Sequence, residues 1–174
     1  MSGDLFDVVG RFPGLRVLVV GEAILDAYLR GTSTRLCREA PAPIVDIATR
    51  EDACGGAAST AANVRALGAD VSLLTILGHD TDAQRLIGCL GRSGVRLDDV
   101  IEAPGRATLV KQRVVAGPQL MLRFDQGCTD PLSAELEGAL IAALRHRYRE
   151  VDVVIVSDYG YGILTPGVIA ALAE

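Results

Sequence analysis

Four charged residues in the second half of this sequence have the types and spacing expected of an anion-binding surface. Lys111 and Arg113 are two residues apart, and so are Arg123 and Asp125. Because side chains alternate across a β-strand, each pair shares one face if its segment is a strand. Arginine can hold a phosphate through two parallel hydrogen bonds, so this patch suits the phosphate of a sugar phosphate. An exposed hairpin face with cross-strand ion pairs explains the same pattern equally well.

Two carboxylates, Asp26 and Asp158, follow segments that are predicted to be buried strands. The carboxyl ends of parallel strands meet at one edge of a sheet, so we expect both side chains at the same rim. Carboxylates there can accept hydrogen bonds from sugar hydroxyls, which favours a polyol site. A single aspartate in such a place is more often the cap of a turn or helix.

The Gly55-Gly56 pair precedes an alanine-rich segment that is predicted to be a helix. Glycine lets a ligand approach the bare backbone, and the free N–H groups of the helix start can donate to hydroxyl or phosphate oxygens. The alternative is a tight strand-to-helix turn with close packing. The segment is neither a P-loop nor a G-x-G-x-x-G motif, so a generic nucleotide-binding module is the weakest interpretation.

An alternation of strands and helices must position these residues. The runs RVLVVG, VSLLTIL and VDVVIVSDY predict buried strands, and helices are predicted at 57–67, at about 81–92, after Ser133 and after Thr165. Since parallel strands need crossover helices, this order predicts an α/β fold with a doubly wound, mainly parallel sheet of at least three strands.

Two polar regions interrupt the α/β order. After a predicted loop that holds Glu22 and Asp26, short strands are expected at 28–34 and 43–48, too polar for a central sheet. Further along, TLVKQRVVA and QLMLRFDQ, joined by Gly117-Pro118, predict a β-hairpin.

Composition narrows the class of protein. The chain has 174 residues, 49% of them hydrophobic and 22% charged, which suits one domain over residues 1–174. No apolar run approaches the roughly 20 residues of a membrane span, and the opening residues lack a signal-peptide pattern, so a cytoplasmic protein without membrane binding is expected. A net charge of −5 and 4% aromatic residues argue against nucleic-acid binding. Four scattered cysteines and two distant histidines predict reduced thiols and no metal site.

Taken in order, a series of segments resembles the ribokinase-like (PfkB-type) carbohydrate kinases: VGEAILDAYLRG, TRLCREAPAPIV, GGAASTAANVRALGA, LGHD, TLVKQRVV, LMLRFD and VSDYGYG. The resemblance runs from about Leu15 to Thr165 and is strongest to the kinases that phosphorylate D-glycero-β-D-manno-heptose 7-phosphate. It implies a ribokinase-like fold with a small β lid over the sugar, formed by segments at about 28–48 and 107–126.

The resemblance also implies a set of substrate-binding residues: Asp26, Gly55, Gly56, Ser59, Lys111, Arg113, Arg123 and Asp158. In this interpretation Asp26 binds sugar hydroxyls, the glycines lie against the sugar, and the basic residues belong to the lid. The implied substrate is a small-molecule sugar phosphate, and the implied cofactor is ATP with Mg²⁺. Exposed lid strand edges lead us to expect a homodimer through the β lid.

The catalytic base of this family is an aspartate in a Gly-Ala-Gly-Asp motif, which this sequence does not contain. The base is therefore expected beyond Glu174, with the C-terminal half of the fold, and the chain as given is expected not to complete phosphoryl transfer. The alternative is a non-catalytic sugar-phosphate-binding or interaction protein derived from such a kinase.

Three residues depart from the pattern of the heptose kinases. Glu22 stands where they usually have aspartate, Ser59 where a sugar-contacting asparagine is expected, and Tyr161 where they have lysine. Serine lacks the paired donor and acceptor of an amide, so Ser59 and Tyr161 are expected to change substrate choice or to mark loss of function.

Overall fold

Two four-stranded β-sheets and the helices packed against them form the framework of the protein in a computed structural model that describes residues 5–174. Residues 1–4, which the predicted domain and the opening segment include, lie outside the described residues. The strands are β1 Arg16–Gly21, β2 Ala23–Leu36, β3 Pro43–Gly56, β4 Asp70–Gly78, β5 Val100–Ala103, β6 Val110–Ala116, β7 Gln119–Gln126 and β8 Val153–Ser157. The helices are α1 Leu5–Val9, α2 Ala57–Ala66, α3 Thr81–Arg92, α4 Ala134–Tyr148 and α5 Pro166–Ala173.

The first sheet is parallel throughout, with strand order β5-β4-β1-β8. Side chains of β1 alternate between two cores: Val17 and Val19 pack in the core that includes α2 and α3, whereas Leu18 and Val20 pack in the core that includes α4 and α5. Burial on both faces explains why β1 is a continuous apolar run. The predicted doubly wound α/β fold is confirmed.

Helix starts follow their predicted capping residues. Ser133 accepts a hydrogen bond from Leu136 N, and Thr165 accepts one from Val168 N, so both act as N-caps. The predicted bounds of α3 are confirmed, with Asp80 as its N-cap. No helix within residues 5–174 combines the length and apolar character needed to cross a membrane.

The prediction that the VDVVIVSDY strand is buried is wrong. Strand β8 lies at the edge of the parallel sheet, and Val153 and Val156 are 40% and 47% exposed. The apolar run reflects β-propensity, which does not distinguish an edge strand from a central one. Strand β5, only four residues long, was not predicted because it is too short to show a pattern.

The second sheet has strand order β3-β2-β6-β7, and only its β2–β6 pair is parallel. The predicted hairpin of β6 and β7 is confirmed. The strands predicted at 28–34 and 43–48 are present but longer than predicted, because they belong to β2 and β3, which are each 14 residues long. The predicted loop around Asp26 is wrong, because β2 begins directly after Glu22 and contains Asp26. Residues 25–31 of β2 pair with both β3 and β6, so backbone hydrogen bonds on two sides extend the strand through its polar residues.

Asp80 joins α3 to the segment before β6. Its carboxylate accepts hydrogen bonds from Ala83 N and Thr108 N, each at 2.8 Å. Desolvation opposes ionisation of this group, but the hydrogen bonds from Thr108 and Ala83 outweigh it and lower the pKa of Asp80. The ionised carboxylate therefore stabilises the folded state.

We predict that Asp80→Asn lowers the free energy of unfolding by about 1 kcal/mol at pH 7, because an amide NH₂ replaces one accepting oxygen. A carboxylate whose pKa is lowered by folding contributes stability above its unfolded pKa of about 3.9, and this contribution is lost as pH falls through the folded pKa. The difference in the free energy of unfolding between variant and wild type, measured by urea unfolding, should therefore become smaller below about pH 4.

Asp82→Asn is the matched control: within residues 5–174 the Asp82 carboxylate has an ion pair with Arg50, at 3.4 Å, and accepts no backbone hydrogen bond. Its effect should stay below about 0.5 kcal/mol. Equal effects of the two substitutions, or a pH-independent difference for Asp80→Asn, would contradict this role of Asp80.

Candidate functional site

One face of the second sheet carries six polar and aromatic side chains that the strand registers bring together. Laterally paired residues of neighbouring strands lie on the same face, and the β2–β6 and β6–β7 registers define this set. We call it the charged face: Asp26, Tyr28, Lys111, Arg113, Arg123 and Asp125. The predicted sharing of a face by Lys111 with Arg113, and by Arg123 with Asp125, is confirmed.

Asp26 and Arg113 form the centre of the charged face. Arg113 Nη1 donates to Asp26 Oδ1 at 2.7 Å, and both side chains are about one-fifth exposed. The Arg113 guanidinium also lies 5.1 Å from the centre of the Tyr28 ring. This ion pair joins β6 to β2 and so lies outside the hairpin of β6 and β7, and it fixes the position of Asp26.

Arg113 and Arg123 lie directly opposite each other on β6 and β7. Like charges in this arrangement repel and destabilise the strand pair. Arg123 is partly neutralised by Asp125, with Arg123 Nε at 2.8 Å from Asp125 Oδ1, and the hydrogen bond from Arg123 lowers the pKa of Asp125. An anion bound between the two guanidinium groups would offset the remaining repulsion.

Lys111 has no ion-pair partner among residues 5–174. Its ammonium Nζ lies 5.4 Å from the centre of the Tyr159 ring and 5.3 Å from that of Tyr161, within the range of cation–π attraction. Lys111, Asp125 and Tyr161 also line a solvent-open recess of about 100 Å³. The loop after β8 thus lies against the charged face.

Gly55 and Gly56 end β3 and lead into α2. A Cβ atom at Gly55 would lie 2.6 Å from Asp26 Oδ2, so glycine is needed for the close approach of this backbone to the carboxylate. Gly56 has φ 56°, and a Cβ there would overlap the carbonyl of Glu22. The close-packing interpretation of the pair is confirmed, whereas contact of these glycines with a ligand stays a prediction.

Asp158 is exposed and lies in the loop that carries Tyr159 and Tyr161. Its Oδ1 accepts a hydrogen bond from Gly160 N at 2.8 Å, so it caps the turn after β8, which was the alternative weighed from sequence. Asp26, by contrast, lies inside β2 and not in a loop after β1. The two carboxylates approach the site from different sheets, and the binding role of Asp158 stays a prediction.

Ser59 lies in the first turn of α2, and its side chain forms no hydrogen bond within residues 5–174. The hydroxyl oxygen of its neighbour Thr60 lies 3.2 Å from the hydroxyl oxygen of Ser157 at the end of β8. Thr60 also donates to the carbonyl of Gly56 at 3.4 Å. A substrate contact of Ser59 stays a prediction.

Sequence reasoning missed the structural role of Glu22. Its side chain is fully buried and accepts hydrogen bonds from three backbone N–H groups of the loop after β8. The sequence feature that could have indicated this role is the position of Glu22 between the apolar runs RVLVV and AIL. A carboxylate buried between such runs must accept hydrogen bonds.

Within residues 5–174, no group of three or more His, Cys, Asp and Glu side chains could hold a metal ion. The sequence contains no P-loop motif that would cradle the phosphates of a nucleotide. No residue of this part of the protein is therefore assigned to magnesium or ATP.

Known proteins share the sequence pattern and the fold of this chain. The model of the family described as pfkB family carbohydrate kinase matches residues 15–166. Bifunctional protein HldE of Trichlorobacter lovleyi is 39% identical over 164 residues, which make up 94% of this chain and 33% of that protein. The chain thus spans about a third of the length of the curated relatives that it matches.

Two solved structures share the fold. A carbohydrate kinase from Agrobacterium tumefaciens is 17% identical with a TM-score of 0.54, over 82% of this chain and 45% of that one. Arabidopsis thaliana ribokinase, solved in complex with ribose and ATP, is 18% identical with a TM-score of 0.55 over the same shares of the two chains. At these identities the likeness shows a ribokinase-like fold.

We predict that Gly55→Ala lowers the free energy of unfolding by about 1–3 kcal/mol, because the added methyl group must displace the Asp26 carboxylate from Arg113. The φ of Gly55 is not in the left-handed region, so the cost comes from the contact. Gly138→Ala, on the exposed side of α4 with no atom within 4 Å, is the control and should raise stability by about 0.5–1 kcal/mol. Urea unfolding measures both, and a neutral Gly55→Ala would contradict the close packing of Gly55 on Asp26.

Proposed function

Because the chain belongs to the pfkB family of carbohydrate kinases, we propose that it is the sugar-binding part of an ATP-dependent kinase that phosphorylates a sugar phosphate. The best candidate substrate is D-glycero-β-D-manno-heptose 7-phosphate. Its support is the combination of REAPAPIV, the GGAA helix start and the SDY strand end, which resembles the heptose kinases.

The observation that carries this proposal is the net positive charge of the charged face, where Lys111 and two arginines outnumber the two carboxylates that pair with the arginines. Arg113 and Arg123 are directly opposed, and Lys111 beside them has no carboxylate within ion-pair distance in residues 5–174. The net charge of the chain is −5, so this patch is a local exception. A phosphate group of the substrate would relieve the repulsion and account for the arrangement.

Asp26 supplies the second part of the proposed recognition. Its Oδ1 is held by Arg113, and its Oδ2 faces the bare backbone of Gly55. A carboxylate in this position can accept hydrogen bonds from sugar hydroxyls next to a backbone that has no side chain in the way. Asp26 and the charged face would thus bind and orient the sugar. This would fix the position of the reacting hydroxyl relative to the phosphoryl donor.

ATP with Mg²⁺ is the proposed phosphoryl donor. The ribokinase from Arabidopsis thaliana, similar in fold, was solved with ribose and ATP, which supports this choice. The donor supplies the phosphoryl group, and no step of the transfer is assigned to a residue of this chain. The homodimer through the second sheet also stays a prediction, supported by Leu120 and Leu122, which are more than half exposed on the edge strand β7.

The test is ATP-dependent phosphorylation by the protein from its complete reading frame, with heptose 7-phosphate, unphosphorylated heptose, fructose 6-phosphate and adenosine as substrates. Arg123→Met should raise the KM for heptose 7-phosphate about tenfold, because it removes one phosphate-binding guanidinium. Arg35→Met is the matched control: Arg35 is also an exposed arginine of the second sheet, 4.0 Å from an exposed Asp46. It should leave KM within about twofold.

Each outcome separates the candidate functions. Turnover of fructose 6-phosphate or adenosine alone contradicts the heptose assignment. Binding of heptose 7-phosphate without turnover supports the alternative of a non-catalytic sugar-phosphate-binding protein. Equal KM changes in the Arg123 and Arg35 variants contradict the charged face as the phosphate site.

A further inference from the structure

Glu22 is a fully buried carboxylate at the junction of the two sheets, between β1 and β2. Its backbone carbonyl accepts a hydrogen bond from Ala57 N, the first residue of α2, at 2.8 Å. A buried carboxylate without partners would be strongly destabilising, so its donors are the first thing to identify. All three come from one loop, between residues 158 and 163, that is far away in sequence.

Alternate backbone N–H groups of this loop converge on the Glu22 carboxylate. Tyr159 N donates to Oε2 at 2.9 Å, while Tyr161 N and Ile163 N each donate to Oε1 at 3.2 Å. The glycines between them, Gly160 and Gly162, have φ of 71° and 87°, a conformation that brings alternate N–H groups to one side. A carboxylate suits this site because it only accepts hydrogen bonds.

The same loop carries the two rings that contact Lys111. The Lys111 ammonium lies 5.4 Å and 5.3 Å from the centres of the Tyr159 and Tyr161 rings. The N–H groups of these two tyrosines are bound by Glu22, and their rings contact Lys111. One buried carboxylate and one ammonium on the charged face are therefore linked through two residues.

We propose that Glu22 is a positioning residue: by fixing the loop of residues 158–163, it holds the Tyr159 and Tyr161 rings against Lys111 and so places the ammonium for the anionic group of the substrate. The identity of that substrate rests on the proposed function, whereas the link from Glu22 to Lys111 does not. Glu22 touches no substrate in this account and acts only through the loop.

Asp80 provides a matched control for a purely structural role. Like Glu22, it accepts backbone hydrogen bonds at the end of a strand of the parallel sheet, from Ala83 N and Thr108 N. Neither of those residues carries a ring or a charge that could hold the Lys111 ammonium. Asp80→Asn and Glu22→Gln both put an amide NH₂ against a backbone donor, so destabilisation alone would affect both variants alike.

The first experiment observes the rings directly and needs no enzymatic activity. The chain has four tyrosines, so ring signals of ¹³C-labelled tyrosine can be assigned by substitution. Glu22→Gln and Lys111→Met should both shift the signals of Tyr159 and Tyr161, and Asp80→Asn should not. Unchanged ring signals in folded Glu22→Gln would overturn the proposal.

The second experiment measures substrate use in the complete protein. Glu22→Gln should raise the KM for the sugar phosphate about tenfold, leave the KM for ATP within about twofold, and have little further effect in a Lys111→Met background. Asp80→Asn should leave both KM values unchanged. Equal KM changes in the Glu22 and Asp80 variants, or additive effects of Glu22→Gln and Lys111→Met, would overturn the proposal.

If Glu22→Gln does not fold, Tyr159→Leu provides the test instead. The Tyr159 ring is 47% exposed, so its removal should not prevent folding. It should raise the KM for the sugar phosphate and be non-additive with Lys111→Met; an unchanged KM would count against the link. A wild-type protein that phosphorylates no sugar contradicts the proposed function alone, and the ring measurement then still decides the role of Glu22.

Discussion

The structure depends on the passage of the chain from one sheet into the other through a single residue. Strand β1 ends at Gly21 and β2 begins at Ala23, so Glu22 alone separates the parallel sheet from the second sheet. Gly21 has φ 151°, and any Cβ there would overlap the backbone of Ser157 in β8. Ala23 N donates to Thr75 of β4 at 3.2 Å. These contacts and the apolar core that β2 and β3 share with α2 and α3 set the orientation of the second sheet.

This junction explains why residues from distant parts of the sequence meet at one site. Glu22 anchors the loop after β8 through three hydrogen bonds, and β2 carries Asp26 forward to the hairpin that holds Arg113. The basic residues come from β6 and β7, whereas the rings of Tyr159 and Tyr161 come from the loop after β8 of the parallel sheet. The electrostatics of the charged face thus depend on how the two sheets are joined as well as on the ion pairs within the second sheet.

Sequence patterns predict the features that are determined by residues close together in the chain. The apolar run of β1, the N-caps of α4 and α5, the bounds of α3 and the shared faces within β6 and β7 all follow from residue spacing or capping chemistry. The lengths of β2 and β3 do not, because the two strands pair with each other and β2 also pairs with β6, about 85 residues further along the chain. The edge position of β8 and the donors of Glu22, 137–141 residues away, depend on tertiary contacts in the same way.

The central claim is that the charged face recognises the phosphate of a phosphorylated sugar, and calorimetric titration with heptose 7-phosphate and with unphosphorylated heptose tests it most directly. The account predicts that the phosphorylated sugar binds at least about tenfold more tightly, a difference of about 1.4 kcal/mol. The preference should shrink as salt screens the partly exposed arginines and Lys111. Equal affinity for the two sugars, or a preference that salt does not change, would contradict it.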